Sequence, residues 1–253
     1  MILSAIPSYI RARIKNVAVN LFYVSALDDD PITLEGEEFR HCVQSFRQEE
    51  GDTILLTDGK GTKARACIDQ IKKKSLNATI INRESPGSGR SYYIEVAIAP
   101  TKNINRIEWF VEKSIELGID AISFILTQHS ERRKIRLNRL ERIAVAAMKQ
   151  SQQYSLPKLH ALQPLEAYLE NQPVTGDQRA WLAHSHPEAP NLTAEHNKNG
   201  HYRVLIGPEG DFSEDERSDI RSAGWKICNL GDRRLRTETA GLSAVAYFHW
   251  LHV

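Results

Sequence analysis

Val204-Leu205-Ile206-Gly207-Pro208-Glu209-Gly210-Asp211-Phe212-Ser213 reads as an apolar strand running into a loop with two glycines. Ser213-Glu214-Asp215-Glu216 then supplies a capping box that starts a helix, and Gly224 stops it. Strand, glycine loop and capped helix in succession form the unit of a parallel α/β sheet, whose ligands bind at the carboxyl ends of strands. Glycine in such a loop lets backbone N–H and C=O groups approach a ligand without side-chain obstruction. The stretch lacks the Lys-Ser or Lys-Thr of a P-loop and is not G-x-G-x-x-G. Its acids, Glu209, Asp211, Glu214 and Asp215, disfavour a polyphosphate and favour a neutral or cationic ligand. For a lone G-x-x-G, a tight turn without a ligand is the plain alternative.

The next strand, Trp225 to Leu230, ends in a second loop of the same kind, Gly231-Asp232-Arg233-Arg234-Leu235-Arg236-Thr237-Glu238, before a last helix at Thr239 to Leu251. Loops at the ends of consecutive strands converge in space, and together they favour a ligand site. The alternation extends upstream to Ser91. Strands are expected at Tyr92 to Ala99, Ala121 to Leu126, Trp181 to Ala183 and Tyr202 to Ile206. A helix from Asn103 to Leu117 carries the stripe Ile104, Ile107, Phe110, Val111 and Ile115, with Gly118 as its C-terminal stop. A longer helix covers Leu137 to Gln153. This pattern predicts an α/β fold with a mostly parallel sheet and helices on both faces. From Leu21 to about Glu84 the rhythm is instead short and strand-like: Leu21-Phe22-Tyr23-Val24, Thr53 to Thr57, Ala64 to Ile71 and Ser75 to Asn82. One helix is expected at Glu37 to Phe46, where Phe39, Val43 and Phe46 share a face. A small β-barrel or compact sheet follows. Pro86-Gly87-Ser88-Gly89 is the linker, so the expected divisions are an extension at 1–20, a β domain at 21–86 and an α/β domain at 91–253.

The chain has 253 residues, 41% hydrophobic and 26% charged, which excludes disordered, collagenous and coiled-coil classes. No apolar run reaches the roughly 18 residues of a membrane span. In Met1 to Asn20 the charges Arg11, Arg13 and Lys15 follow the apolar stretch, opposite to a signal peptide. A weak mitochondrial-type presequence and a mis-assigned start codon fit that segment equally. Cys42, Cys67 and Cys228 lack C-x-x-C spacing and read as buried or semi-buried thiols of a reducing cytoplasm, with no metal site. A net charge of +1 removes a global basic excess as a reason for nucleic-acid binding. By position, however, the charges segregate. Arg132, Arg133, Lys134, Arg136, Arg139 and Arg142 form one basic run, and Lys60, Lys63, Arg65, Lys72, Lys73 and Lys74 another. Each run is either a solvated face or a surface that positions phosphates.

Gly207-Pro208-Glu209-Gly210, with Leu230-Gly231 and Leu235-Arg236-Thr237-Glu238-Thr239-Ala240 after the next strand, resembles the RsmE family of 16S rRNA uridine N3-methyltransferases in the SPOUT superfamily. Lys102, Arg106-Ile107-Glu108-Trp109 and Glu112-Lys113-Ser114-Ile115-Glu116-Leu117-Gly118 resemble a helix of that family. So do Ser130-Glu131-Arg132, the helix with Arg142, Ala146, Gln150 and Ser151, and the Phe22-Tyr23-Val24 strand. The likeness covers roughly Leu21 to Val253. The family usually has Gly where this chain has Asp211, and commonly Pro where it has Asp232. His41 to Arg47 is a loose version of its H-x-x-x-x-x-R element.

The resemblance implies an N-terminal PUA-like RNA-binding β-barrel and a C-terminal SPOUT α/β domain with a deep trefoil knot. It implies a cytoplasmic homodimer joined through the C-terminal domain, with S-adenosyl-L-methionine as cofactor and small-subunit ribosomal RNA as partner, without membrane or metal. The cofactor residues would be Ala183, His184, Leu205, Ile206, Gly207, Pro208, Glu209, Gly210, Leu230, Gly231, Leu235, Thr237 and Thr239. The RNA residues would be Arg47, Lys102, Arg132 and Arg133. Methylating N3 requires loss of its proton, so the enzyme supplies a base or stabilises negative charge on O2 and O4. Arg236 is the expected catalytic residue, donating to a uracil oxygen or holding a phosphate. Glu238 is expected to orient that arginine or simply to cap the helix. His129 and His184 fall near the right loops, although a lone histidine there is also readily incidental. Rival readings are a SPOUT methyltransferase acting on ribose 2′-O or another base, and a non-catalytic RNA-binding assembly factor.

Overall fold

The computed structural model describes residues 20–85, 90–176, 178–184, 189–192 and 199–253. The expected linker at 86–89 and residues 1–19 of the expected extension lie outside them. Two compact units emerge: one from residues up to Gly89 together with Met148–Leu156, the other from Arg90–Ala147 and Pro157–Val253.

In the first unit, β1 (Leu21–Tyr23), β2 (Ile32–Glu35), β3 (Thr53–Thr57), β4 (Lys63–Ile71) and β5 (Ser75–Glu84) form a sheet in the order β1-β3-β4-β5-β2. Only β1 and β3 pair in parallel. Breaks in register at Arg65/Ala66 and Ile68/Gln70 are the irregularities that curl a strand pair. Phe22, Leu34, Ile54, Leu56, Ile68 and Leu76 make its core. β2 is absent from the sequence reading, because only Ile32 and Leu34 mark its inner face. The helix expected at Glu37 to Phe46 is two elements: α1 (Gly36–Arg40) and a π-helical turn (His41–Ser45). The Phe46 N–H donates to the His41 carbonyl five residues back, at 3.0 Å. That wider turn shifts the helical phase. Phe39 and Cys42 are therefore buried, whereas Phe46 is 47% exposed and leaves the expected stripe.

In the second unit, β6 (Tyr93–Ile98), α2 (Ile104–Glu116), β7 (Ala121–Leu126), α3 (Leu137–Gln150), β8 (Lys158–Pro164), α4 (Leu165–Asn171), β9 (Gln178–Ala183), β10 (His201–Ile206), α5 (Glu214–Ser222), β11 (Lys226–Cys228) and α6 (Thr237–Trp250) follow in order; the end of α3 packs with the first unit. The sheet runs β11-β9-β10-β6-β7-β8, and every pair in it is parallel. The local signals hold. Ser213 accepts from the Glu216 N–H, and the Glu216 carboxylate accepts from the Ser213 N–H, closing the capping box. Asn103 caps α2, and Gly118 ends it at φ +83. On one face of the sheet, Tyr168, Leu182, Leu205, Phe212, Ile220 and Trp225 pack together. On the other, Phe248 of α6 stacks on Tyr202 at 4.6 Å and tilts against Trp181 at 5.4 Å.

Within this core lies a charge cluster that strand alternation does not reveal. Arg203, 1% exposed, faces Glu95 at 3.5 Å, donates to the Tyr168 hydroxyl at 3.0 Å and lies over the Trp225 ring. Glu95 also accepts from Ser123 and Tyr168. Burial and Glu95 push the Tyr168 phenol well up.

Candidate active site

Ile206 of β10 pairs with Ala183 of β9, and Cys228 of β11 pairs with the same Ala183. Three neighbouring strands therefore end level, so His184 at the end of β9 stands beside the loops that leave β10 and β11. They enclose a cavity of about 500 Å³, within the usual range for small-molecule sites. The β9 end contributes Ala183 and His184, and the β10 loop contributes Ile206, Gly207, Pro208, Glu209 and Asp211. The β11 loop adds Asn229, Leu230 and Arg233 to Arg236, the first turn of α6 adds Thr237 and Ala240, and α2 adds Arg106.

Most of the residues expected at a cofactor are thus brought together, with the expected catalytic Arg236 among them. Leu205 is not: it is fully buried on the far face, in the core with Phe212. Gly210 is adjacent, but a Cβ there would meet the His129 Cβ at 3.1 Å, and one at Gly207 would meet the Phe212 ring at 3.0 Å. Gly207 thus serves packing within its own loop, and Gly210 lets that loop close on the one after β7. Gly231 has φ +112 and open space beside it, so its backbone conformation, not crowding, calls for glycine. Thr239 is half-buried farther along α6. Glu238 is 7% exposed, and its Oε1 lies 3.7 Å from Arg106 Nε, so its ion pair is with α2 and not with Arg236. Its Oε2 is buried without a hydrogen-bond partner.

The electrostatics differ from the expectation drawn from the β10 loop alone. Arg106, Arg233, Arg234 and Arg236 share the cavity with Glu209 and Asp211, and the amino terminus of α6 abuts it. The site is thus rich in positive potential as well as carrying acids. Arg233 and Arg234 come with the second loop, which the sequence already places beside the first, but Arg106 belongs to a helix distant in sequence and only the fold brings it here. Asp211 has φ +60, and its Oδ2 accepts from Nδ1 of His184 at 2.7 Å. His129 Nδ1 lies 3.1 Å from the Gly210 carbonyl oxygen and 3.0 Å from that of Asp211.

The residues expected at RNA fare unevenly. Arg132 donates to the carbonyls of Thr101 and Lys102, so it braces the loop after β6. Lys102 pairs with Glu131 at 2.9 Å, and that hydrogen bond raises its pKa. Arg139 pairs with Glu108 at 2.6 Å. Arg133 is exposed, as is Arg47 in the first unit. The three cysteines are buried, and burial pushes the Cys42 and Cys228 thiols up to about 12, which leaves them protonated and unreactive. Among the described residues no cluster of His, Cys, Asp and Glu could hold a metal ion, and no helix is long and apolar enough to cross a membrane.

Comparison with known proteins places this geometry. Residues 89–249 match the model of an RNA methyltransferase domain, and residues 34–81 that of an RNA methyltransferase PUA domain. Ribosomal RNA small subunit methyltransferase E of Bacillus subtilis (strain 168) is 28% identical over 239 residues, 85% of this chain and 89% of the relative. The crystal structure of a probable rRNA-methyltransferase from Porphyromonas gingivalis superposes with a TM-score of 0.86 at 36% identity, covering 92% of this chain and 98% of that one. A ribosomal RNA small subunit methyltransferase E from Neisseria gonorrhoeae, bound to S-adenosyl methionine, gives 0.81 at 25% identity, with the same coverage. A domain match over more than half the chain, on a parallel sheet whose strand ends meet at one cavity, has a single reading: the chain belongs to the RNA methyltransferase family, among the relatives of ribosomal RNA small subunit methyltransferase E.

Proposed function

We propose that this protein uses S-adenosylmethionine to methylate N3 of a uridine in the ribosomal RNA of the small subunit. The observation that carries this is the cavity where the end of β9 meets the loops after β10 and β11. It suits the cofactor chemically. Ile206, Pro208, Leu230 and Leu235 offer apolar surface to an adenine and a thioether-like chain, while arginines and carboxylates suit a ligand with carboxylate and ammonium ends. Open space beside Gly231 leaves the backbone approachable there. When bound, S-adenosylmethionine supplies an electrophilic methyl carbon on its sulfonium.

The chain's own residues handle charge. Loss of the N3 proton leaves uracil with negative charge on O2 and O4, and preorganised donors stabilise that charge most in a water-poor cavity. Arg236 stands at the amino end of α6 on the cavity wall, makes no capping bond with its side chain, and is the donor assigned to that charge. Arg106 is a second cation, held against the buried Glu238. Glu238 therefore positions Arg106. The expected cofactor set stands in this reading for the nine residues that line the cavity, with Gly210, Gly231 and Thr239 beside it. Arg133 and Arg47 are assigned to RNA phosphates. The curled sheet of the first unit is read as a PUA-like barrel, the parallel unit as a SPOUT domain with a trefoil knot, and the boundary as lying near residues 86–90. α6 is apolar in composition with Trp250 66% exposed, which supports a homodimer through this unit.

Calorimetry with S-adenosylmethionine tests the cofactor assignment; no binding in the micromolar range would refute it. Mass spectrometry of nucleosides from small-subunit RNA, with and without the protein, separates N3 methylation from ribose 2′-O or other base methylation.

A further inference from the structure

Asp211 holds a conformation that costs a residue with a Cβ. At φ +60 it lies in the left-handed region that glycine occupies freely and aspartate only with local compensation. The compensation is visible. Oδ1 accepts from the following Phe212 N–H at 2.7 Å, and Oδ2 accepts from His184 Nδ1 at 2.7 Å, with Arg217 4.0 Å away. His184 stands at the end of β9 and Asp211 in the loop after β10, and both line the cavity. From the other side, His129 in the loop after β7 reaches the carbonyls of Gly210 and Asp211. Carbonyl oxygens only accept, so His129 Nδ1 carries a proton, as does the His184 Nδ1 that faces a carboxylate. The turn at 207–211 is gripped between two imidazoles from two other loops.

We infer that Asp211, acting through His184, is a positioning residue that latches the end of β9 to the β10 loop and so sets the affinity of the cavity for S-adenosylmethionine. This rests on the reading of the cavity as the cofactor site. The latch fixes both walls before the ligand arrives, so ordering cost is met in folding and not in binding. It makes a specific separation of effects. Asp211→Gly removes the latch yet relieves the backbone, whereas any residue needed only for folding loses stability and affinity together.

The test measures S-adenosylmethionine affinity by calorimetry and melting temperature in parallel for the native protein, Asp211→Gly, His184→Phe, which keeps a flat ring but no donor, and the double variant Asp211→Gly/His184→Phe. Each single variant is expected to weaken binding about tenfold. Asp211→Gly should hold or raise the melting temperature, and the double variant should bind no worse than His184→Phe. Turnover should show a raised KM for the cofactor with kcat largely kept. Nitrogen NMR of the imidazoles, without cofactor, should report a protonated Nδ1 on His184 that is lost in Asp211→Gly. Unchanged affinity in Asp211→Gly, additive losses in the double variant, or affinity falling only in step with melting temperature would each overturn the latch. Failure of the native protein to bind would instead refute the cofactor reading, and the imidazole spectra would still judge the pair.

Discussion

Gly241→Ala isolates how closely α2 and α6 must approach for the site to form. A Cβ at Gly241 would sit 2.6 Å from Phe110 Cε2, 3.1 Å from its Cδ2 and 3.3 Å from Ile98 Cδ1. Ordinary carbon contacts lie near 3.5–4.0 Å, so the helices would have to part by roughly 1 Å. Phe110 and Ile98 are fully buried and have no space to yield. Overpacking of this kind costs about 1–3 kcal/mol, and alanine returns about 0.5–1 kcal/mol through helix propensity. With two fully buried neighbours the cost falls in the upper part of that range, about 2–3 kcal/mol, so the net is a loss of about 1–2.5 kcal/mol, or roughly 2–10 °C in melting temperature for a unit of this size. Gly241 lies one turn beyond Glu238, and Phe110 one turn beyond Arg106, so the same opening separates that ion pair and weakens cofactor binding. Urea unfolding followed by tryptophan fluorescence reads the stability, and calorimetry reads the binding. A variant as stable as the native protein would refute the reasoning. Rescue of stability by adding Phe110→Leu would support it.

Arg203→Met should cost about 3–5 kcal/mol in urea unfolding by leaving Glu95 buried without its counter-ion, and adding Glu95→Gln should recover much of the loss; additive losses would mean the pair is not coupled. Burial lowers the pKa of His201 and of His249. Between those lowered values and the ordinary value near 6.5, the unfolded chain binds more protons than the folded one, so stability falls as pH drops below about 6.5. Replacing both histidines by glutamine should flatten the urea midpoint between pH 7.5 and 5.5. Arg236→Ala should reduce methylation of small-subunit RNA by about 100-fold with cofactor affinity largely kept; full residual turnover would remove it from the reaction. Glu238→Gln should lower turnover less, through Arg106.

The parallel sheet was legible because each strand–loop–helix unit carries its own local signals: the Ser213 capping box, the Asn103 cap and the Gly118 stop all act within a few residues. The same locality explains what escaped. β8 and α4 present an edge strand with mostly half-exposed positions and a helix of about two turns, too short for periodicity to register. Arg203 and Glu95 sit at inward positions of their strands, where alternation marks charge as outward. Only the partner strands, Tyr168 and Trp225 make their burial tolerable. At the site, the two loops could be read from their own residues, but Arg106 enters from a helix distant in sequence, and its partner Glu238 looked equally able to serve Arg236. The departure at Asp211 is the most instructive. On local rules a carboxylate at a left-handed turn is a defect in a glycine loop. In three dimensions it is the residue whose side chain joins two cavity walls, which is why a violated local preference there marks a constraint imposed by the site and not by the turn.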